Sequence, residues 1–325
     1  MIKRRNPIFD MMKGIGIILM LVGHMGFPSW VNQFIYSFHM PLFFFLSGYF
    51  SHYPNKISFG DSLKTNYSRL VLPYIVTMLF LIIWAILIGL IKNDYHLVIR
   101  HCLSLLWGSM DGIDSKWGYV DNCPMWFLLA LFWGKVIWDQ LSKLGDKAVI
   151  IAFCISVSSI IIDQWFKMVP WSFLQGLSSV MFIGIGWFFN HNEMPKWQIA
   201  LCIFLWPVAI VFSHMEMASM TYCCLPLDIL GSLGGVIVTY FFCKFLAVYS
   251  RHSFGIKAVL CLFGELSLTI LCMSHFIGLS DIGNSIFIKI PNLQNRMWIN
   301  VIETSFVFVL AIIVVRIPLL NRVYR

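Results

Sequence analysis

The sequence predicts an all-α, polytopic transmembrane helix bundle of about ten helices, with both termini on the cytoplasmic side. Three observations predict it. Hydrophobic residues make up 59% of the chain and charged residues 12%, about half the charged share of a soluble domain, and the mean hydropathy is +0.80. Apolar stretches of bilayer-spanning length recur from one end of the chain to the other. The Lys and Arg residues gather in alternate connections between them.

The stretches lie near residues 9–26, 33–50, 72–91, 125–141, 147–163, 173–190, 197–213, 226–249, 258–279 and 298–316, where a spanning helix needs about 17 to 25 residues. The first follows Met1-Ile2-Lys3-Arg4-Arg5 and resembles a signal peptide superficially. Asp10 and Lys13 interrupt its entry and no small-x-small cleavage site follows, so it stays as a helix. The second carries His39, and the third follows the basic residues Lys64 and Arg69. The fourth and fifth are short and nearly contiguous, so a re-entrant pair there is the way the count would change. The sixth, seventh and eighth read as plain spans. The ninth carries Glu265 and His275, and the tenth Glu303.

With the N-terminus inside, the inner segments hold fourteen Lys and Arg residues and the outer loops six. That bias sets an N-in, C-in orientation. The longest outer loop, residues 92–124, holds Asp94, Asp111, Asp114 and Asp121 and reads as an acidic external cap. One membrane domain is expected over 1–325, with no appended soluble domain.

The net charge of +8 forms no single basic patch, which argues against nucleic acid as a partner. An aromatic content of 16%, with 13 Trp, suits ring belts at the two headgroup layers. Of the nine cysteines, five lie inside apolar stretches and no CxxC pair occurs, so no metal site is expected. A disulfide among Cys102, Cys123, Cys223 and Cys224 stays open.

Ionisable groups at bilayer depth are costly unless they are paired or line a wet cavity, which makes them functional candidates. Asp10, Lys13, His24, His39, Glu265, His275 and Glu303 qualify. At 100° per residue, Asp10, Lys13 and His24 fall within an arc of about 60°. They share a helix face that must look into the protein. The eleven residues from Lys13 to His24 span roughly 16 Å, so the stripe joins the cytoplasmic edge to the outer half. Each has a plain structural reading beside the functional one: an interhelical bond for a histidine, an ion pair for Asp10 with Lys13, headgroup contact for Lys64 and Arg69.

The strings around these residues resemble acyltransferase family 3, and most closely its fucose 4-O-acetylase-like branch. Asp10-Met11-Met12-Lys13-Gly14-Ile15-Gly16-Ile17-Ile18 leading to Gly23-His24 is similar to the family's opening helix, with Lys13 where many members carry arginine. Ser37-Phe38-His39-Met40-Pro41-Leu42-Phe43-Phe44-Phe45-Leu46-Ser47-Gly48-Tyr49 is the clearest likeness. Arg69-Leu70-Val71-Leu72-Pro73-Tyr74 resembles the entry to the third helix, and Trp126-Phe127-Leu128 a mid-chain element. Gly264-Glu265-Leu266-Ser267 followed by His275 resembles the late Ser-to-His segment with one extra residue of spacing.

The resemblance implies a membrane O-acetyltransferase that moves acetyl from cytoplasmic acetyl-coenzyme A to a sugar hydroxyl of an envelope or surface polysaccharide, in a bacterial inner membrane. Acetyl-coenzyme A is then a cosubstrate and no cofactor is held permanently. The phosphates of the donor would meet Lys13, Lys64 and Arg69, because clustered cations suit phosphate oxygens. His24 would act as general base or carry the acyl group, with Asp10, His39, His275 and Glu303 around it and a carboxylate such as Glu303 orienting its ring. Ser37, Trp126 and Asp121 would help hold the acceptor. The competing classes are a transporter or flippase, and a non-catalytic partner in polysaccharide assembly. Carriers commonly show internal repeats, whereas the polar motifs here concentrate in the first three helices.

Overall fold

The computed structural model describes residues 6–24, 27–51, 57–110, 113–115, 118–120, 124–166, 169–249, 254–275 and 296–324. The chain is almost wholly helical and divides into two compact units. Unit 1 comprises Met1–Leu46, His191–Glu216 and Thr221–Arg316; unit 2 comprises Ser47–Asn190, Met217–Met220 and Ile317–Arg325.

In unit 1, α1 (Pro7–Gly23) starts because Asn6 caps it, its side chain accepting from the Ile8 amide at 3.1 Å, with Pro7 at the first helical position. Around α1 pack α2 (Ser29–Tyr36), α11 (Leu225–Tyr249), α12 (Phe254–Glu265) and α13 (Ser267–Ser274). Glycine sets the closest of these contacts. A methyl on Gly14 would overlap the Leu260 carbonyl, and one on Gly264 the Asp10 carbonyl, so the α1 and α12 backbones touch. The same device joins α11 to α10 (Lys196–Phe212), where Gly231 faces Ala209 and Gly234 faces Cys202.

The second expected stretch, 33–50, is a broken helix rather than a continuous one. It divides at Ser37-Phe38 into α2 and α3 (His39–Tyr49). Pro41 is the physical reason: it has no N–H to give the Ser37 carbonyl four residues back, and its ring crowds that carbonyl. The ninth stretch bends by 65° between α12 and α13, in the Gly264 to Ser267 region, a usual place for a kink. After α13 come α14 (Arg296–Arg316), which packs against it, and α15 (Pro318–Tyr324) in unit 2.

In unit 2, α4 (Phe59–Asn66) runs through a π turn, Tyr67–Val71, into α5 (Leu72–Lys92). The turn follows from Pro73, which leaves the Arg69 carbonyl without its helical donor; the Leu72 amide instead reaches the Tyr67 carbonyl, five residues back. Tyr74, fully buried, donates to the Leu105 carbonyl at 2.8 Å and ties α5 to α6 (His96–Trp107). The remaining helices are α7 (Trp126–Leu141), α8 (Lys147–Asp163) and α9 (Phe173–His191). Gly134, Gly176 and Gly184 let α7 and α9 meet closely.

Described residues are helical at each of the ten expected stretches, and among the described residues three helical segments, Phe59–Ile91, Phe173–His191 and Leu225–Val248, are long and apolar enough to cross a membrane, or four if the bent pair is one span. α5 exposes Leu79, Phe80, Ile83, Leu87 and Leu90, an apolar face suited to lipid. The 92–124 connection, expected as an outer loop, is more structured than expected. It holds α6 and a hairpin pairing β1 (Ile113–Ser115) with β2 (Gly118–Val120). A second hairpin pairs β3 (Met215–Glu216) with β4 (Thr221–Tyr222).

Candidate active site

His24 sits one residue beyond α1 and closes it, its amide bonding the Leu21 and Val22 carbonyls, at φ −93°, ψ 0°. This sparsely populated region is frequent among active-site residues. The helix ends here because Gly23 precedes and Gly26 and Pro28 follow. The His24 side chain is exposed.

His39, at the start of α3, is only 4% exposed. Its Nδ1 lies 2.8 Å from the Ile35 carbonyl, and a carbonyl only accepts, so Nδ1 carries the hydrogen and Nε2 keeps its lone pair. The Tyr36 ring lies against His39 at 5.3 Å between centroids, and its hydroxyl donates to the Gly23 carbonyl at 3.4 Å. Tyr36 therefore joins the end of α1 to His39. The two histidines interact electrostatically, and the carboxylate whose field His24 feels is Glu216 on β3, a strand packed against α2.

Farther down α1, Lys13 Nζ lies 3.9 Å from Asp10 Oδ1, with the lysine side chain 35% exposed and the aspartate 14%. His275 closes α13, a helix packed against α1 and α14, and is half-buried. Glu303 lies on α14, but its side chain falls outside the described residues, as does Asp121 entirely. Ser37 is committed to packing: it donates to the Phe34 carbonyl at 2.7 Å and accepts from Trp206 Nε1 at 3.0 Å. In unit 2, Lys64 and Arg69 are exposed, and Trp126 is buried at the start of α7. Cys102, Cys223 and Cys224 are free thiols, while Cys123 lies outside the described residues.

Unit 2 holds a polar cluster on α7. Lys135 Nζ donates to Ser51 Oγ at 2.6 Å and faces Asp139 Oδ1 at 3.3 Å, while Asp139 Oδ2 accepts from Ser62 Oγ at 2.7 Å and Asn66 Nδ2 at 3.0 Å.

The family model described as an acyltransferase domain matches residues 6–317. The chain belongs to acyltransferase family 3. No curated protein and no solved structure matches it. Membership in acyltransferase family 3, together with the apolar helices, makes this an integral membrane acyltransferase. Acyl transfer to a hydroxyl needs a base near the reacting atoms, and the constellation of His24, Tyr36, His39 and Glu216 holds two imidazoles and a carboxylate in one unit.

Sequence reasoning missed Glu216, Tyr36, Lys135 and Asp139. Glu216 lies in a short connection where nothing in the local pattern marks it. Lys135 and Asp139 were legible: oppositely charged residues at i and i+4 inside an apolar stretch are a buried pair by default.

Proposed function

We propose that the protein transfers an acetyl group from cytoplasmic acetyl-coenzyme A to a hydroxyl of an envelope or surface polysaccharide, or its precursor, in a bacterial inner membrane. The observation that carries the reading is the His24, Tyr36, His39 and Glu216 constellation at one end of α1, eleven residues beyond Lys13, within a family 3 acyltransferase.

In this reading, neutral His24 takes the proton of the acceptor hydroxyl as its oxygen attacks the thioester carbonyl. The C–O ester bond forms, the C–S bond breaks, and the proton passes from His24 to the departing thiolate. Glu216 orients the His24 ring and stabilises the imidazolium formed in passing. His39, its tautomer set by Ile35, presents Nε2 as an acceptor toward the second substrate or water. Lys13, steadied by Asp10, serves the donor phosphates.

The test is transfer of label from acetyl-coenzyme A, labelled in the acetyl group, to total glycan in membranes carrying wild-type or His24→Ala protein. Label that enters glycan only with the wild type is the expected result. Equal label with a folded His24→Ala protein removes the base assignment, and no label with either, across a panel of acceptors, removes the activity.

A further inference from the structure

The α7 cluster in unit 2 is unused by the chemistry above. Asp139 is engaged through both oxygens, one facing Lys135 at 3.3 Å and the other accepting from Ser62 at 2.7 Å and Asn66 at 3.0 Å. Asn66 is itself pinned, its amide also donating to the Ser62 carbonyl at 3.0 Å. The Lys135 ammonium has three N–H groups. Ser51 and Asp139 take two, and the third meets no acceptor among the described residues, although the side chain is 16% exposed and so can be reached.

A second cation faces this group. Arg69, on the π turn, acts electrostatically on Lys135, and α4 and the π turn pack against α7. Arg69 meets no carboxylate among the described residues. Lys135 thus pairs with Asp139, and Arg69 adds a second positive charge near it. A purely structural pair would need Lys135 and Asp139 alone, since each added like charge in such surroundings is repulsive. The surplus charge, the spare ammonium N–H and the exposed guanidinium fork match the oxygens of a phosphate.

We infer that Arg69 and Lys135 form a phosphate-binding site, with Lys135 as a positioned cation held by Asp139 and Ser51. The inference rests on the proposed donor: its nucleotide phosphates are the natural occupant, and a lipid headgroup offers the same chemistry. In the orientation read from the basic loops, the α7 end carrying Lys135 and the Arg69 turn both fall on the cytoplasmic side, where the donor is.

The test uses the full-length protein in nanodiscs. Coenzyme A is titrated into wild type, Lys135→Gln, Lys135→Arg and Asp139→Asn, and retention of phosphatidylglycerol over phosphatidylcholine is measured in parallel. Lys135→Gln is expected to weaken coenzyme A binding about 10-fold or more, the loss of one charge-assisted bond, and to flatten its salt dependence. Lys135→Arg recovers most of the affinity, and KM for the donor rises more than kcat falls. If coenzyme A does not bind even the wild type but phosphatidylglycerol retention drops in Lys135→Gln, the donor reading fails and the phosphate site stands with a headgroup in it. Unchanged coenzyme A and lipid binding in Lys135→Gln overturns the inference, as does a lowered melting temperature with unchanged affinity. Should Lys135→Gln not fold, Arg69→Gln, altered at an exposed position, reads the same site by the same criteria.

Discussion

Replacing Gly264 with alanine tests whether the α1–α12 contact positions the reacting groups. The added methyl carbon would lie 2.7 Å from the Asp10 carbonyl carbon and 3.1 Å from its Cα, where carbon atoms normally rest about 3.5–4.0 Å apart. Both obstacles are backbone, so no rotamer change relieves them, and α1 must retreat by about 1 Å. Overpacking of this kind costs about 1–3 kcal/mol. The functional loss should be larger in proportion, because α1 carries Asp10 and Lys13 and ends at His24, and a misplacement of about 1 Å can cost about 100-fold in rate. The assay is acetyl transfer in membranes beside the melting temperature of the purified protein. Gly255→Ala is the control: it lies on the same helix and an added methyl meets nothing within 4 Å, so it should leave both readouts near wild type. Wild-type transfer and melting for Gly264→Ala would refute the argument that glycine contact sets the position of α1.

Three further outcomes follow from the same geometry. Glu216→Gln, which keeps the side chain's size and removes its charge, should lower kcat by about 10- to 100-fold with KM for the donor little changed, a range set by a charge-assisted interaction of about 1.5–3 kcal/mol; equal kcat would remove Glu216 from the mechanism. His39→Phe fills the volume but removes the side-chain donor to the Ile35 carbonyl, which keeps the Phe38 amide at 3.4 Å, so it should destabilise the protein by about 1 kcal/mol as well as depress transfer, read by thermal melting and the label assay together. Pro73→Ala restores the amide that the Arg69 carbonyl lacks and lets the π turn relax into α-helix. It should raise KM for the donor with helical content by circular dichroism unchanged, and an unchanged KM would show that the turn does not place Arg69.

Much of the architecture was legible because membrane helices advertise themselves one at a time. Each apolar stretch must satisfy its own backbone bonds, so hydropathy alone marked stretches where the described residues are helical, three or four of them of bilayer-spanning length. The two departures have local causes that the sequence also contains, Pro41 breaking the second stretch and the Gly264 to Ser267 region bending the ninth. Along one helix, periodicity sufficed to align Asp10, Lys13 and His24.

Partnerships between distant residues obey no such local rule. Glu216, 192 positions along the chain from His24, acts on it electrostatically and is carried by a hairpin too short to leave a pattern, while the Glu303 side chain lies outside the described residues. Lys135 and Asp139 announced a pair, but that Ser51, Ser62 and Asn66 close around it, with Arg69 beside it, required the packing of α4 and the π turn on α7. Composition and periodicity thus determined that this chain is a bundle of apolar helices with a polar stripe on α1. Which charges meet was decided only by tertiary structure, because side-chain contacts depend on crossing points set by glycine and proline against neighbours far away in sequence.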